Sequence, residues 1–167
     1  MVVFDTTGNA RWGMAGMHHT AYACRDLHAT VDFYEQFIGF TLVHTEVTPY
    51  GDGFHRHVFF DTGDGTCIAF FDLHDVGEAN DWTPAPTGAN GQPIWVTHIA
   101  FDANEAEQEA LRGRAAVMGV DVFDLDHGWC QSVYAIDPNG IMVEFCRNTP
   151  GFIPNPAEAH RLLDVTP

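Results

Sequence analysis

The 167-residue chain carries 23 acidic side chains against 7 arginines and no lysine, a formal charge of -16, so phosphate backbones and anionic lipid surfaces are poor partners and lysine-based Schiff-base chemistry is excluded. The length allows one ordinary core that buries roughly 70% of the unfolded surface, with 46% hydrophobic and 18% charged residues. Cys24, Cys67, Cys130 and Cys146 show no C-x-x-C spacing and read as reduced thiols, no apolar run approaches the roughly 18 residues of a membrane span, and the N-terminus lacks a basic segment leading into an apolar one, so a cytoplasmic protein is expected.

In chain order, HHTAYACRDLHATVDFYEQFIGFTLV reads as an extended segment His19 to Cys24, a helix capped by Asp26 and stopped at Gly39, and a strand from Phe40 to Val47. HVFFDTGDGTCIAFF then reads as a hairpin. Residues 73 to 93, rich in Pro and Gly, read as an irregular connection. The next segment, THIAFDANEAEQEALRGRAAVMGVDVF, repeats the strand, helix, strand order with Asn104 as cap, Glu107 at the capping-box position and Gly119 as the stop. SVYAIDPNGIMVEFC closes the second half with another hairpin. The tail GFIPNPAEAHRLL carries Phe152, Ile153, Leu162 and Leu163 and predicts a short helix from Pro156 that folds over the rest as a lid.

The two hairpins align without a gap, setting Gly65 on Gly140, Ala69 on Glu144, Phe59 on Tyr134 and His57 on Ser132, while His19 falls opposite His98. The chain therefore predicts an α+β fold of two βαβββ modules, about 17 to 72 and 94 to 148, in a single domain 1 to 167 with an N-terminal extension and a C-terminal tail. Two such modules bury more if their sheets curl around a shared cup.

Strand alternation places Glu144 on one face with Met142 and Cys146. An uncompensated buried carboxylate there costs several kcal/mol, and Arg147, three residues on, points to the opposite face. His19 and His98 at equivalent strand positions make a divalent metal the economical partner: Fe(II), Mn(II), Zn(II) or Ni(II) all suit two imidazoles and a carboxylate. His18 competes with His19, but its alignment with Thr97 turns it away.

The segments HHTAYACRDLHATVDFYEQFIGF, VTHIAFDA and YAIDPNGIMVEF resemble the vicinal oxygen chelate superfamily over about residues 17 to 148, a group that includes glyoxalase I, fosfomycin-resistance transferases and extradiol dioxygenases. The resemblance implies paired βαβββ modules around a metal, with His19, His98 and Glu144 on the ligand positions. Glyoxalase I draws a fourth ligand from the position held here by Ala69, and fosfomycin transferases grip a phosphonate with cations, for which Arg56 is the nearest candidate. Extradiol dioxygenases use Fe(II) and carry a tyrosine ten residues before the glutamate, which Tyr134 matches. Their proton-transfer histidine is missing among Cys67, Ala69 and Phe71. His57 is the candidate replacement and His127 the second, with Trp129 near the mouth and Phe59, Phe71 and Tyr134 as an aromatic wall. The resemblance thus implies an Fe(II) extradiol-type dioxygenase of a small catechol-like substrate, acting as a homodimer, with a metal-dependent isomerase or lyase and a non-enzymatic binding protein as the alternatives.

Overall fold

The computed structural model describes residues 2–4, 10–12, 16–77, 82–85 and 91–166. They form two compact units, 1–84 and 85–167. The irregular connection expected over 73 to 93 lies partly outside the described residues.

Within the first unit two short strands, β1 (Val2–Phe4) and β2 (Ala10–Trp12), pair antiparallel. The module proper comprises β3 (His19–Cys24), the helix α1 (Leu27–Asp32), β4 (Thr41–Tyr50), β5 (Gly53–Asp61) and β6 (Cys67–His74). Its four strands lie in the order β3-β6-β5-β4, with β3 parallel to β6 and the other pairs antiparallel. Asp26 starts α1 by accepting a bond from the Ala29 amide at 2.9 Å. The helix then widens into a π-helical turn over Phe33–Ile38, which ends at Gly39 with φ 94°. The four-residue spacing of Phe33, Tyr34, Phe37 and Ile38 keeps all four on the buried face. Tyr34 packs against Phe60 and Phe70 at centroid distances of 5.5 and 4.9 Å, so this sheet face is an aromatic core.

The second unit repeats the plan with β7 (His98–Asp102), α2 (Glu105–Met118), β8 (Val122–Asp126), β9 (Cys130–Ile136) and β10 (Met142–Asn148) in the order β7-β10-β9-β8. A short 3-10 turn, Ile94–Val96, precedes β7. The capping box read from the sequence is present: the Asn104 side chain accepts from the Glu107 amide, and Glu107 accepts from the Asn104 amide. Gly119 closes α2 with φ 70°. Beneath α2 the buried Gln108 amide donates to the carbonyls of Gln131 and Phe145 at 2.9 and 2.8 Å. Arg147 turns to that helix-covered face, donating to Gln108 Oε1 at 2.9 Å.

The register supports the repeat alignment residue by residue. Phe59 pairs with Ala69 in the first hairpin, and Tyr134 pairs with Glu144 in the second. His19 pairs with Cys67 and His98 with Met142, two positions that are themselves repeat equivalents. Gly65 and Gly140 both adopt positive φ, 85° and 78°, at matching turn positions, where a residue with a Cβ would be strained. The α+β architecture of two βαβββ modules therefore stands as read.

Two expectations are corrected. The helix α3 (Pro156–Leu162) forms where Pro156 predicted it, with Asn155 as its cap. The tail, however, keeps its apolar side chains exposed, Ile153 at 81% and Leu163 at 78%, so it does not act as a packed lid. Phe152 alone of these meets an aromatic partner, Trp129, at 5.4 Å. The second correction concerns His18. It immediately precedes β3, and its carbonyl accepts from the Cys67 amide of β6 at 3.0 Å. Its Nδ1 lies 2.7 Å from His19 Nδ1 instead of turning away.

Candidate metal and catalytic groups

The second unit gathers its polar groups on the sheet face opposite α2. Glu144, only 5% exposed, lies at the centre of β10. Its Oε2 is 2.9 Å from His98 Nε2, and its Oε1 accepts a short bond from the Ser132 hydroxyl. His98 is held from its other side, since Nδ1 is 2.8 Å from the Trp95 carbonyl. With Nδ1 held in this way, Nε2 is the ring nitrogen that faces Glu144, the one that would ligate a cation bound between them, as in ligating imidazoles held through their other nitrogen.

Tyr134 is buried beside this pair, stacked on Phe123 at 4.9 Å. Its hydroxyl is 2.8 Å from His127 Nε2. Burial first, and then the hydrogen bond with Glu144, push the Tyr134 phenol up to about 12, so it stays a neutral hydroxyl near pH 7. Cys130 is also buried, and burial with Cys146 close by pushes its thiol upward. Cys130, His127 and Glu144 each offer one ligand atom, all within 4.8 Å of one another.

In the first unit the equivalent face carries His19, His57, Phe59, Ala69 and Phe71, joined by two residues of β4. A bulge makes this possible. The β4–β5 register passes from Leu42 opposite Phe60 to His44 opposite Phe59, leaving Val43 over. The extra residue reverses the parity of the strand, so His44 and Glu46 join the face of Phe59 and His57; regular pairing would have sent Thr45 there. Glu46 Oε1 lies 3.3 Å from His57 Nδ1, and His57 is 6% exposed and stacked on Phe71 at 3.7 Å. His57 is therefore a buried side chain of the sheet face, not a surface histidine. His57 Nε2 is buried without a hydrogen-bond partner. Burial outweighs Glu46 and lowers the His57 pKa below its ordinary value, leaving a neutral imidazole with a free nitrogen. His19 approaches His57 and Phe59 at 6.1 and 5.4 Å.

Of the residues singled out in the sequence, the structure thus brings His98, Glu144, Tyr134 and His127 together in the second unit, and His19 and His57 together in the first. Arg56 faces the other way, bonded to Asp72 at 2.8 Å. Three contributors were given no role in the site by the sequence reading: Ser132 and Cys130, legible from their alternation with Tyr134, and Glu46, which only the bulge reveals.

The family model for the glyoxalase/bleomycin resistance protein/dioxygenase superfamily matches residues 16–145. The chain belongs to that superfamily. No curated protein matches the sequence. Among solved structures, a glyoxylase/bleomycin resistance protein/dioxygenase domain from Frankia sp. EAN1pec superposes with TM-score 0.62 at 16% identity, covering 82% of this chain and 100% of that one. The fosfomycin resistance protein FosX from Mesorhizobium loti gives 0.55 at 21% identity, covering 82% and 94%. A FosX variant from Listeria monocytogenes, complexed with Mn(II) and a dihydroxypropylphosphonic acid, gives 0.58 at 17% identity, covering 82% and 95%. At these identities the likeness is one of fold. Superfamily membership supports a metal-dependent enzyme of the vicinal oxygen chelate type. Among the described residues no helix is long and apolar enough to cross a membrane.

Proposed function

We propose that the chain is an Fe(II) extradiol-type dioxygenase of a small catechol-like substrate. The observation that carries the reading is the buried Glu144 carboxylate meeting His98 Nε2 at 2.9 Å, with the neutral Tyr134 hydroxyl beside it. This donor set fits a divalent cation: a deprotonated carboxylate and an imidazole whose other nitrogen is already held. His19 joins the set by its repeat equivalence to His98 and by the ligand pattern of the superfamily. When bound, such a cation supplies Lewis acidity and a template for two adjacent oxygens of the substrate.

The remaining roles fall to the protein. Tyr134 donates its hydroxyl proton in a hydrogen bond to a substrate oxygen and so orients the ring. His57, with Nδ1 turned toward Glu46 and Nε2 free, is the base for the second phenolic proton. Phe59 and Phe71, stacked about His57, make its surroundings apolar and suited to an aromatic substrate. His127, bonded to the Tyr134 hydroxyl, is the rival base.

The test is O₂ uptake by anaerobically purified, Fe(II)-loaded protein with a panel of catechols. Stoichiometric O₂ consumption with ring opening supports the reading, and its absence across the panel defeats it. With a verified substrate, His57→Phe lowers turnover by about 100-fold or more while metal is kept, and Tyr134→Phe lowers it by several-fold, about 1 kcal/mol. Full turnover in both His57→Phe and His127→Phe would remove either histidine as the essential base.

A second reading, an isomerase or lyase acting through an enediolate, is favoured by the Glu46–His57 pair, a carboxylate-oriented base that needs no O₂. Turnover of α-hydroxycarbonyl substrates under argon would select it.

A further inference from the structure

We propose that His127, Cys130 and Glu144 form a second metal site, built wholly within the second unit, for a borderline-soft divalent ion of the Zn(II) or Co(II) class. It shares Glu144 with the centre proposed above but requires neither His98 nor His19, so it does not depend on that reading.

The case rests on where the backbone puts the donors. Cys130 opens β9, and the alternation of that strand sets Cys130, Ser132 and Tyr134 on the face of Glu144. The Glu144 side chain extends along the sheet toward Ser132, as the bond from the Ser132 hydroxyl to Oε1 requires. This directs a carboxylate oxygen toward Cys130, whose Sγ is 4.0 Å from Ser132 Oγ. The turn before β9 completes the set. The His127 amide donates to the Cys130 carbonyl at 2.9 Å, and the Asp126 carboxylate accepts from the Gly128 amide at 2.7 Å. Gly128 has φ 81°, a conformation that folds the chain back and leaves a His127 ring nitrogen within 4.8 Å of the Cys130 thiol, beside the Tyr134 hydroxyl that meets its Nε2 at 2.8 Å.

The resulting nitrogen, sulfur and oxygen donors lie within 4.8 Å of one another. Zinc-type bonds of about 2.0 to 2.3 Å in a tetrahedron require donor separations of about 3.3 to 3.8 Å. A side-chain adjustment of about 1 Å closes the difference. Cys130 and Glu144 are both buried, so the ion would be screened from water on the protein side while the exposed His127 leaves a route in. One thiolate among the ligands selects Zn(II) or Co(II) over Mg(II) or Mn(II). Binding forms a metal–sulfur bond and releases the Cys130 thiol proton to solvent, with no change of oxidation state.

Cobalt gives a direct readout, because a thiolate ligand produces a sulfur-to-cobalt charge-transfer band in the near ultraviolet. Metal-free, reduced protein is titrated with Co(II). The band is expected in the native chain, in His98→Ala and in Cys146→Ser, and is lost in Cys130→Ser. His127→Ala weakens Co(II) binding at the band by about tenfold or more, the scale of a lost ligand contribution. Absence of the band in the native protein overturns the proposal, as does its survival in Cys130→Ser or its disappearance in a folded His98→Ala. Circular dichroism verifies folding, and if Cys130→Ser does not fold, the native and His98→Ala spectra still decide. Failure here leaves the dioxygenase reading intact, since that reading is judged by O₂ uptake and by metal retained in Cys130→Ser.

Discussion

The two βαβββ modules share one topology yet fill it differently, and the difference separates what a fold needs from what a site needs. The first covers its sheet with an aromatic slab from the π-helical turn, in which Tyr34 meets Phe60 and Phe70 while Phe33 packs on Tyr34 and Phe37. The second covers the same face with a regular fourteen-residue helix whose buried side chains are Gln108, Leu111 and Ala115. On the opposite faces the contrast reverses. Ala69 in the first module takes the place of Glu144 in the second, while His57 takes the place of Ser132. A carboxylate survives burial only where its lone pairs are met, and His98 with Ser132 meets them in the second module.

The sharpest way to break this comparison is Glu144→Ala. We expect metal content to fall from about one ion per chain to near zero, measured by metal analysis after anaerobic loading, while a polar change at the equivalent place, Ala69→Ser, leaves metal in position. Unchanged metal in Glu144→Ala would mean that the two modules do not differ in the way described.

The cores come next. Phe37→Ala in the first module should cost about 3 to 5 kcal/mol, and Leu111→Ala in the second about 2 to 5, read from denaturant midpoints. The gap between them measures how much more the aromatic slab contributes. Gln108→Leu should cost about 2 kcal/mol, because it leaves the Gln131 and Phe145 carbonyls unpaired beneath α2. A neutral outcome would show that the second core does not depend on its buried amide.

Smaller effects are expected at the caps. Asn104→Ala removes the side-chain arm of a capping box, leaving the backbone N–H of residue 104 bonded to Glu107, and should cost about 1 kcal/mol, as should Asp26→Ala, which likewise removes a single side-chain acceptor. The smallest effect is a pH dependence. Because burial lowers the His57 pKa, the unfolded chain binds its proton more readily than the folded one. Stability should therefore decline as pH falls below the ordinary histidine value of 6.5. His57→Phe should flatten that part of the curve, and an unaltered slope would place the dependence elsewhere.

Local rules written into the sequence determined the elements and their repetition. Asp26, Asn104 and Glu107 announce helix starts, Gly39 and Gly119 announce stops, and Gly65 with Gly140 fixes two turns of the same kind, because capping and positive φ depend on a few neighbouring residues. The same period-2 arithmetic put Glu144 and Tyr134 on one face. Tertiary structure decided what local rules cannot encode. The Val43 bulge reversed the parity of β4 and delivered Glu46 to His57, a choice made by pairing with β5 and invisible in β4 alone. The His18 ring meets that of His19, a side-chain pairing that alternation along the strand does not encode. The turn at Gly128 brought His127 and Cys130 to Glu144, three residues whose meeting depends on strand register across the sheet. The tail has the composition of a packed segment but stays exposed, since apolar content sets a tendency to be buried and only a complementary surface can satisfy it.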